Sequence, residues 1–202
     1  MKARTVPPCE STMHPKERNT AMIYIFLAEG FEETEMIFPL DLMRRAGLEV
    51  KTVSVTKELI VTGSHGIAIK ADTTVLSEDY DVTKADMFML PGGMPGSLNL
   101  EASDEVQKAI AYALANDKYL AAICAAPMVL GKAGALKGKK AVCYPGFEKH
   151  LLGATNTADR CVVDGKIITA IGCGAAMELG LAIVAELCGK DVSESIKNGI
   201  LA

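Results

Sequence analysis

The sequence predicts a three-layer α/β protein, in which helices cover both faces of a mainly parallel sheet. Short apolar runs alternate with stretches of helical periodicity from residue 22 onwards, which is typical of βαβ units. Half of the 202 residues are apolar, enough to bury one sizeable core. Neither an internal repeat nor a linker divides this part of the chain. We therefore expect a single domain over residues 22–202.

The first half of the chain contains buried strands and one well-marked helix. Gly47 directly follows the last periodic residue of that helix, where a left-handed C-cap is expected. In chain order the predicted elements are a strand at 22–27, a helix at 32–46, a strand at 48–55, a hairpin around 63–66 and a buried strand at 85–90.

The second half continues the alternation. Ser103 has the chemistry of an N-cap, and the two acidic residues after it complement the helix dipole. Asp164-Gly165 is the strongest hairpin signal in the chain. The predicted elements are a helix after 103, a strand at 119–124, a helix at 125–136, a strand at 139–143, a hairpin turning at 164–165 and an apolar helix from about 175 to 189.

Residues 1–21 differ in composition from everything after them. They are polar, contain three prolines and lack the apolar segment of a secretory signal. We expect a disordered N-terminal extension, or a start placed upstream of Met22 as the natural first residue.

Composition excludes several function classes. A net charge of −4 provides no basic surface for nucleic acid, and no apolar run approaches the length of a membrane span. The six cysteines are scattered without a C-x-x-C pair, which favours neither a disulfide scaffold nor a zinc site. We expect a cytoplasmic protein with reduced thiols and no metal.

Three segments end at the carboxyl edge of the predicted sheet, where ligands bind in such folds. Cys124 follows a strand and precedes a helix, so its side chain is held out from a sharp turn. The helix N-terminus favours a reactive thiolate there, although a free cysteine is also often a small buried hydrophobe. Gly92 and Gly93 follow another strand, and their N–H groups can approach a ligand closely.

The third segment is acidic. It carries Glu29, Glu32, Glu33 and Glu35 at the start of the first helix. Acidic residues at a helix start are usually solvated partners of the dipole, and we interpret Glu33 and Glu35 in this way.

Together these segments resemble the ThiJ-like branch of the ThiJ/PfpI superfamily. The motifs are AEGFEETEMIFPLDLMRRAG at 28–47, LPGG at 90–93 followed by NL, AAICAAP at 121–127 and DGKIITAIGCGAAMELGLAIVAEL at 164–187. The resemblance runs from about residue 22 to the C-terminus. It implies a flavodoxin-like or class I glutamine amidotransferase-like sheet and a homodimer.

The resemblance also implies roles for individual residues. Cys124 matches the nucleophilic, oxidisable cysteine of the family, and Glu32 matches its buried glutamate. Gly92, Gly93 and the N–H of Ala125 match the backbone donors beside the thiol. Such a glutamate must be neutral when the cysteine is anionic, because two like charges would raise the thiol pKa.

One position departs from the family pattern. Tyr144 precedes Pro145, where many relatives carry histidine before proline. Tyr144 is therefore a candidate neighbour of the site. A tyrosine is, however, a poor base at neutral pH. The protease-like branch places histidine directly after the nucleophile, where this chain has Ala125. Ala122 and Ala126 break the motif of the glutamine amidotransferases.

Two functions of different classes remain open. The first is a cofactor-independent glyoxalase or deglycase that acts on α-oxoaldehydes such as methylglyoxal, or on their early adducts. The second is a redox-sensing oxidative-stress protein or chaperone that works through oxidation of Cys124. Both readings need the same reactive thiol, so the sequence does not separate them.

Overall fold

The computed structural model describes residues 21–202. The predicted extension falls, but for its last residue, outside the described residues, and the single domain over 22–202 stays a prediction. The helices are α1 (Glu33–Arg45), α2 (Gly96–Ala102), α3 (Asp104–Ala115), α4 (Pro127–Lys132), α5 (Ala176–Cys188) and α6 (Lys190–Gly199). The strands are β1 (Met22–Leu27), β2 (Glu49–Ser54), β3 (Ile60–Thr62), β4 (Ala68–Lys70), β5 (Thr73–Thr74), β6 (Met87–Leu90), β7 (Tyr119–Ile123), β8 (Lys140–Ala141), β9 (Thr155–Asn156), β10 (Cys161–Asp164) and β11 (Ile167–Ala170).

A seven-stranded sheet forms the centre of the described fold. Its order is β10-β11-β7-β6-β1-β2-β5, and every neighbouring pair is parallel except β10 with β11. The chain adds strands in one direction from β1 to β2 and β5 and then returns to place β6 on the other side of β1. The predicted mainly parallel α/β sheet is confirmed. Its carboxyl edge between β1 and β6 is the switch point at which ligands bind in such sheets.

The two faces of the sheet carry separate hydrophobic cores. Side chains alternate along β1, so Tyr24 and Phe26 enter one core while Ile23 and Ile25 enter the other. The inner face of α3 packs into the first core, and α1 and α5 pack into the second. Helices therefore lie on both faces, as the alternation of the sequence predicts.

Most predicted elements are present, with shifts at their ends. Ser103 caps α3 by accepting a hydrogen bond from the Val106 N–H. The helix predicted at 125–136 is shorter, because α4 begins only at Pro127 and the residues from Cys124 to Ala126 form a turn. The strand predicted at 139–143 is reduced to β8, and α2 and α6 were not anticipated. No helix within residues 21–202 has both the length and the apolar character needed to cross a membrane.

Candidate active site

Cys124 occupies a strained turn at the carboxyl end of β7. Its φ is 64°, in the left-handed region that a residue with a Cβ enters at a cost of about 1–2 kcal/mol. The turn is held from both sides, because the Cys124 N–H donates to the Ala170 carbonyl at 2.9 Å and the Cys124 carbonyl accepts from the Tyr144 N–H at 2.8 Å. The side chain is partly buried. The predicted sharp turn at Cys124 is confirmed.

The carboxyl group beside this thiol belongs to Glu35, and the expectation for Glu32 is wrong in this respect. Glu35 is 1% exposed, hydrogen-bonds with the Cys124 side chain and accepts a hydrogen bond from the Gly92 N–H at 2.9 Å. Glu32 is instead the N-cap of α1, where its Oε2 accepts from the Glu35 N–H and from Thr34 Oγ1, both at 2.7 Å. The interpretation of Glu35 as a solvated residue is also wrong.

Burial dominates the electrostatics of the pair. The pKa of Glu35 is raised to about 7, chiefly because burial disfavours its charged form, and the charge of Glu32 adds to this. The pKa of the Cys124 thiol is raised to about 12, first by burial and then by the charge of Glu35 and the hydrogen bond with it. In the resting site burial therefore outweighs the backbone N–H groups of Ala125 and Gly93, which lower the pKa of the thiol. The α4 helix has only six residues and starts three residues beyond Cys124.

A thiol and a carboxyl group that share a hydrogen bond titrate as one unit. Near neutral pH the thiol of Cys124 is protonated and the carboxyl group of Glu35 is partly ionised, so an ionised Glu35 can accept the proton of the thiol. A carboxyl pKa near 7 suits a group that both accepts and returns a proton at physiological pH. The arrangement replaces the Cys–His dyad with a thiol and a buried acid.

Backbone donors complete the site. The N–H groups of Ala125 and Gly93 both hydrogen-bond to the Cys124 sulfur and lower the pKa of its thiol. Gly92 is not available as the expected oxyanion donor, because its N–H already donates to Glu35. A Cβ at Gly92 would lie 2.5 Å from Glu35 Oε2 and 2.6 Å from the Cys124 Cβ, so only glycine fits between acid and thiol. Two donors, not three, are left to hold a developing negative charge at the sulfur.

A second cluster of ionisable groups lies at the same helix end. Glu33 is 2% exposed, and it accepts hydrogen bonds from the His65 N–H and from His65 Nδ1, both at 2.9 Å. Burial alone would raise the pKa of Glu33, but these bonds and that of the Ile67 N–H outweigh it and lower the pKa to about 2. Glu33 was interpreted as solvated, which is wrong: it ties α1 to the hairpin of β3 and β4.

The same residues have the side-chain types of a metal site. Ligand atoms of Glu32, Glu33 and His65 lie within 4.8 Å of one another, and they are the group among residues 21–202 that could hold a cation. However, Glu33 is already satisfied by the hairpin and Glu32 by the start of α1. We assign all three to holding α1 against the hairpin.

Tyr144 does lie beside the site through its backbone, as the bond from its N–H to the Cys124 carbonyl shows. Its side chain is half exposed, and its ring lies over Gly172, 3.3 Å from where a Cβ would stand. The structure thus brings Cys124, Glu35, Gly93 and Tyr144 together from four separate segments of the chain.

Periodicity contains a signal that would have selected Glu35. The buried residues Pro39 and Leu42 of α1 lie four and seven positions after Glu35, which places all three on one helix face. Glu32 precedes the first helical residue, so the helical repeat does not direct its side chain. The sequence interpretation used the position of each glutamate at the helix start rather than its phase on the helix.

The fold and the site together define a class of protein. It has a flavodoxin-like, mainly parallel α/β sheet and a cysteine on a strained turn after a central strand, beside a buried acid. Comparison with known proteins specifies it further: residues 21–186 match the model of the DJ-1/PfpI family, and the chain belongs to that family. The resemblance drawn from the sequence motifs is confirmed.

Individual relatives agree with this assignment. "Protein DJ-1 homolog B" of Arabidopsis thaliana is 36% identical over 185 residues, covering 91% of this chain but 42% of its own length. The chain therefore spans less than half of that plant relative. "Deglycase PfpI" of Pyrococcus furiosus is 33% identical over 73% of this chain and 89% of its own length. The solved structure of oxidized Toxoplasma gondii DJ-1 is 33% identical with a TM-score of 0.84, over 90% of this chain and 98% of that one.

Proposed function

We propose that the chain is a cofactor-independent glyoxalase or deglycase that uses Cys124 on α-oxoaldehydes or on their early adducts. The observation that carries this proposal is the hydrogen bond between the Cys124 thiol and the buried Glu35 carboxyl group, with two backbone N–H groups at the sulfur. The deglycase name of the Pyrococcus furiosus relative supports it.

In the proposed reaction, Cys124 Sγ attacks the aldehyde carbon of methylglyoxal while Glu35 accepts the thiol proton. The N–H groups of Gly93 and Ala125 stabilise the oxyanion, which becomes the hydroxyl of a hemithioacetal. Glu35 then moves a proton between the two substrate carbons through an enediol, and water releases lactate from the resulting thioester. The role of the buried glutamate, which the resemblance implied for Glu32, is thereby assigned to Glu35, because Glu35 is the carboxyl group that hydrogen-bonds with the sulfur.

The test is lactate formation from methylglyoxal by purified full-length protein and matched variants. We expect Cys124→Ser to lose at least about a thousandfold in kcat/KM, and Glu35→Gln at least about a hundredfold. Glu32→Gln is the matched control, because it keeps an acceptor for the cap of α1, and we expect it to stay within about threefold of the wild type. Equal losses in Glu32→Gln and Glu35→Gln would contradict the assignment of the shuttle to Glu35.

A redox-sensing or chaperone role through oxidation of Cys124 is the second candidate. The observation that favours it is the pair of N–H donors at the sulfur, since such donors also stabilise an oxidised, negatively charged sulfur. A solved relative of this fold is described as oxidized. Even peroxide labelling of all cysteines, rather than selective oxidation of Cys124, would argue against this role.

We propose further that the protein acts as a homodimer in the cytoplasm. Four large apolar side chains are exposed on α1 and on the hairpin that Glu33 ties to it: Ile37, Phe38, Ile60 and Ile67. A surface of this kind marks an interaction site, and a second copy would cover it. Light scattering of the wild type and of Phe38→Glu tests this, and a monomeric wild type would refute it.

A further inference from the structure

We propose that Cys173 is a resolving thiol for Cys124. After a peroxide has oxidised Cys124 to a sulfenic acid, Cys173 attacks the oxidised sulfur and closes an intramolecular disulfide. The inference rests on the reactivity of Cys124 proposed above. It adds to that proposal a second functional cysteine and a defined oxidation product.

Strand pairing places the two cysteines at the same edge of the sheet. Cys124 follows β7 and Cys173 follows β11, which is the parallel neighbour of β7. The register pairs Ile123 with Ala170, and the Cys124 N–H donates to the Ala170 carbonyl at 2.9 Å. Ile171 therefore lies opposite Cys124, and Cys173 is two residues further on. With about 4.8 Å between strands and at most about 7 Å for two residues, the two Cα atoms are about 9 Å apart if the chain keeps the strand direction beyond Ala170, and at most about 12 Å apart in any direction.

Burial distinguishes Cys173 from the other candidates. Its side chain is exposed, whereas Cys143 is buried and Cys161 is partly buried on β10. Cys124 itself is partly buried, so a partner must approach from the open side of the carboxyl edge. Among the cysteines that the structure describes, Cys173 is exposed and also follows β11, the strand next to β7.

The disulfide requires a movement of the segment that carries Cys173, which is held by the bond from the Ala175 N–H to the Gly172 carbonyl and by the bond from Arg160 to the Gly174 carbonyl. A disulfide needs its Cα atoms within about 7 Å, so from a separation of about 9 Å the segment moves by about 2 Å. Gly172 precedes Cys173 and Gly174 follows it, and neither carries a Cβ that would restrict rotation of the backbone. A Cβ at Gly172 would lie 3.3 Å from the ring of Tyr144, whose N–H donates to the Cys124 carbonyl. The moving segment thus starts next to the site.

The chemistry balances with a hydroperoxide as the named oxidant. Cys124 sulfur passes its proton to the ionised Glu35 and attacks the outer peroxide oxygen, the O–O bond breaks, and the alcohol or water leaves with that proton, which Glu35 returns. Cys173 sulfur then attacks Cys124 Sγ, the S–S bond forms, and the S–O bond breaks with loss of water. Two thiols lose two electrons and the peroxide gains them. Without this second step, further peroxide carries Cys124 to the sulfinic acid.

The experiment treats reduced full-length protein with a small excess of hydrogen peroxide, blocks free thiols and maps the peptides by mass spectrometry without reduction. We expect a peptide pair linked through Cys124 and Cys173. In Cys173→Ser that pair is absent, and the sulfinic acid at Cys124 rises about fivefold at the same dose. Cys161→Ser is the matched control, since it removes a thiol on the next strand, and we expect the link to persist.

A wild type that shows no link, with equal sulfinic acid in the wild type and in Cys173→Ser, would overturn the proposal. A link from Cys124 to any other cysteine, or a Cys124 that resists oxidation, would overturn it as well. Methylglyoxal turnover is measured separately without peroxide, and Cys173→Ser is expected to retain it within about twofold. Failure of the resolving step is therefore distinguishable from failure of the proposed aldehyde chemistry.

Discussion

Replacing Glu35 by glutamine tests the buried acid through the pH dependence of stability. In the folded protein the pKa of this carboxyl group is about 7, against an ordinary value of 4.5. Between pH 5 and 7 the unfolded chain has released the proton while the folded chain still holds it, so the free energy of unfolding falls as pH rises. At 1.36 kcal/mol per pH unit the fall is about 3 kcal/mol. Glutamine cannot ionise, so Glu35→Gln removes this loss.

Urea unfolding under reducing conditions at pH 5, 6, 7 and 8 measures the effect. We expect the free energy of unfolding of Glu35→Gln, relative to the wild type, to rise by about 3 kcal/mol across this range and to level off above pH 7. Glu32→Gln is the control, because it changes the carboxyl group that caps the same helix and affects the pKa of Glu35 less than burial does. Its difference from the wild type should stay within about 1 kcal/mol and show no such slope.

Two results would refute this reasoning. A constant difference between Glu35→Gln and the wild type at all four pH values would show that Glu35 is ionised throughout. The same slope in Glu32→Gln and Glu35→Gln would show that the charge at the helix start, rather than burial beside the thiol, controls the titration.

Three further predictions concern the turn and the helix start. Gly92→Ala should lower the free energy of unfolding by about 2 kcal/mol, because its Cβ would overlap the buried acid and the thiol. Gly199→Ala is the control: a Cβ there has no neighbour within 4 Å, and it should change the free energy of unfolding by less than about 1 kcal/mol. Urea unfolding measures both, and equal effects would contradict the overlap. Cys124→Gly should be more stable than Cys124→Ala by about 1 kcal/mol in the same assay, because φ at residue 124 is 64° and glycine adopts this conformation without strain. A glycine variant that is less stable than the alanine variant would argue against the strain. The pKa of His65 is raised by its hydrogen bond with Glu33, so this bond stabilises the fold most below pH 6.5 and less as pH rises. His65→Ala should therefore lower the melting temperature more at pH 5.5 than at pH 8. An equal loss at both pH values would contradict a charged hydrogen bond.

In the proposed reaction the pair of thiol and acid needs no histidine base. Glu35 is 1% exposed, so the carboxyl group that accepts the thiol proton lies within the fold. Because burial raises the pKa of both groups, the resting site keeps its thiol protonated, and we propose that proton transfer to Glu35 accompanies attack on the substrate. We expect turnover to depend on the pH at which Glu35 titrates.

Much of the fold was accessible from local patterns. The buried run at 22–27, the cap at Ser103 and the hairpin at Asp164-Gly165 each depend on residues close together in the chain, and each is present in the structure. Elements were misjudged where local preference was weak: α4 is short, and the strand after residue 139 is held mainly by pairing with distant segments.

The sequence by itself determined the fold class and the position of Cys124 at the end of a strand, because alternation of strands and helices and the placement of turns are written into neighbouring residues. Only the tertiary structure decided which glutamate lies beside the thiol. This depends on the rotation of α1 relative to β6 and on the hairpin whose His65 hydrogen-bonds with Glu33. The position of Cys173 at the same sheet edge as Cys124 likewise comes from the pairing of β11 with β7, which joins segments about fifty residues apart. Burial and proximity between distant residues set the chemistry of the site, and no local pattern encodes them.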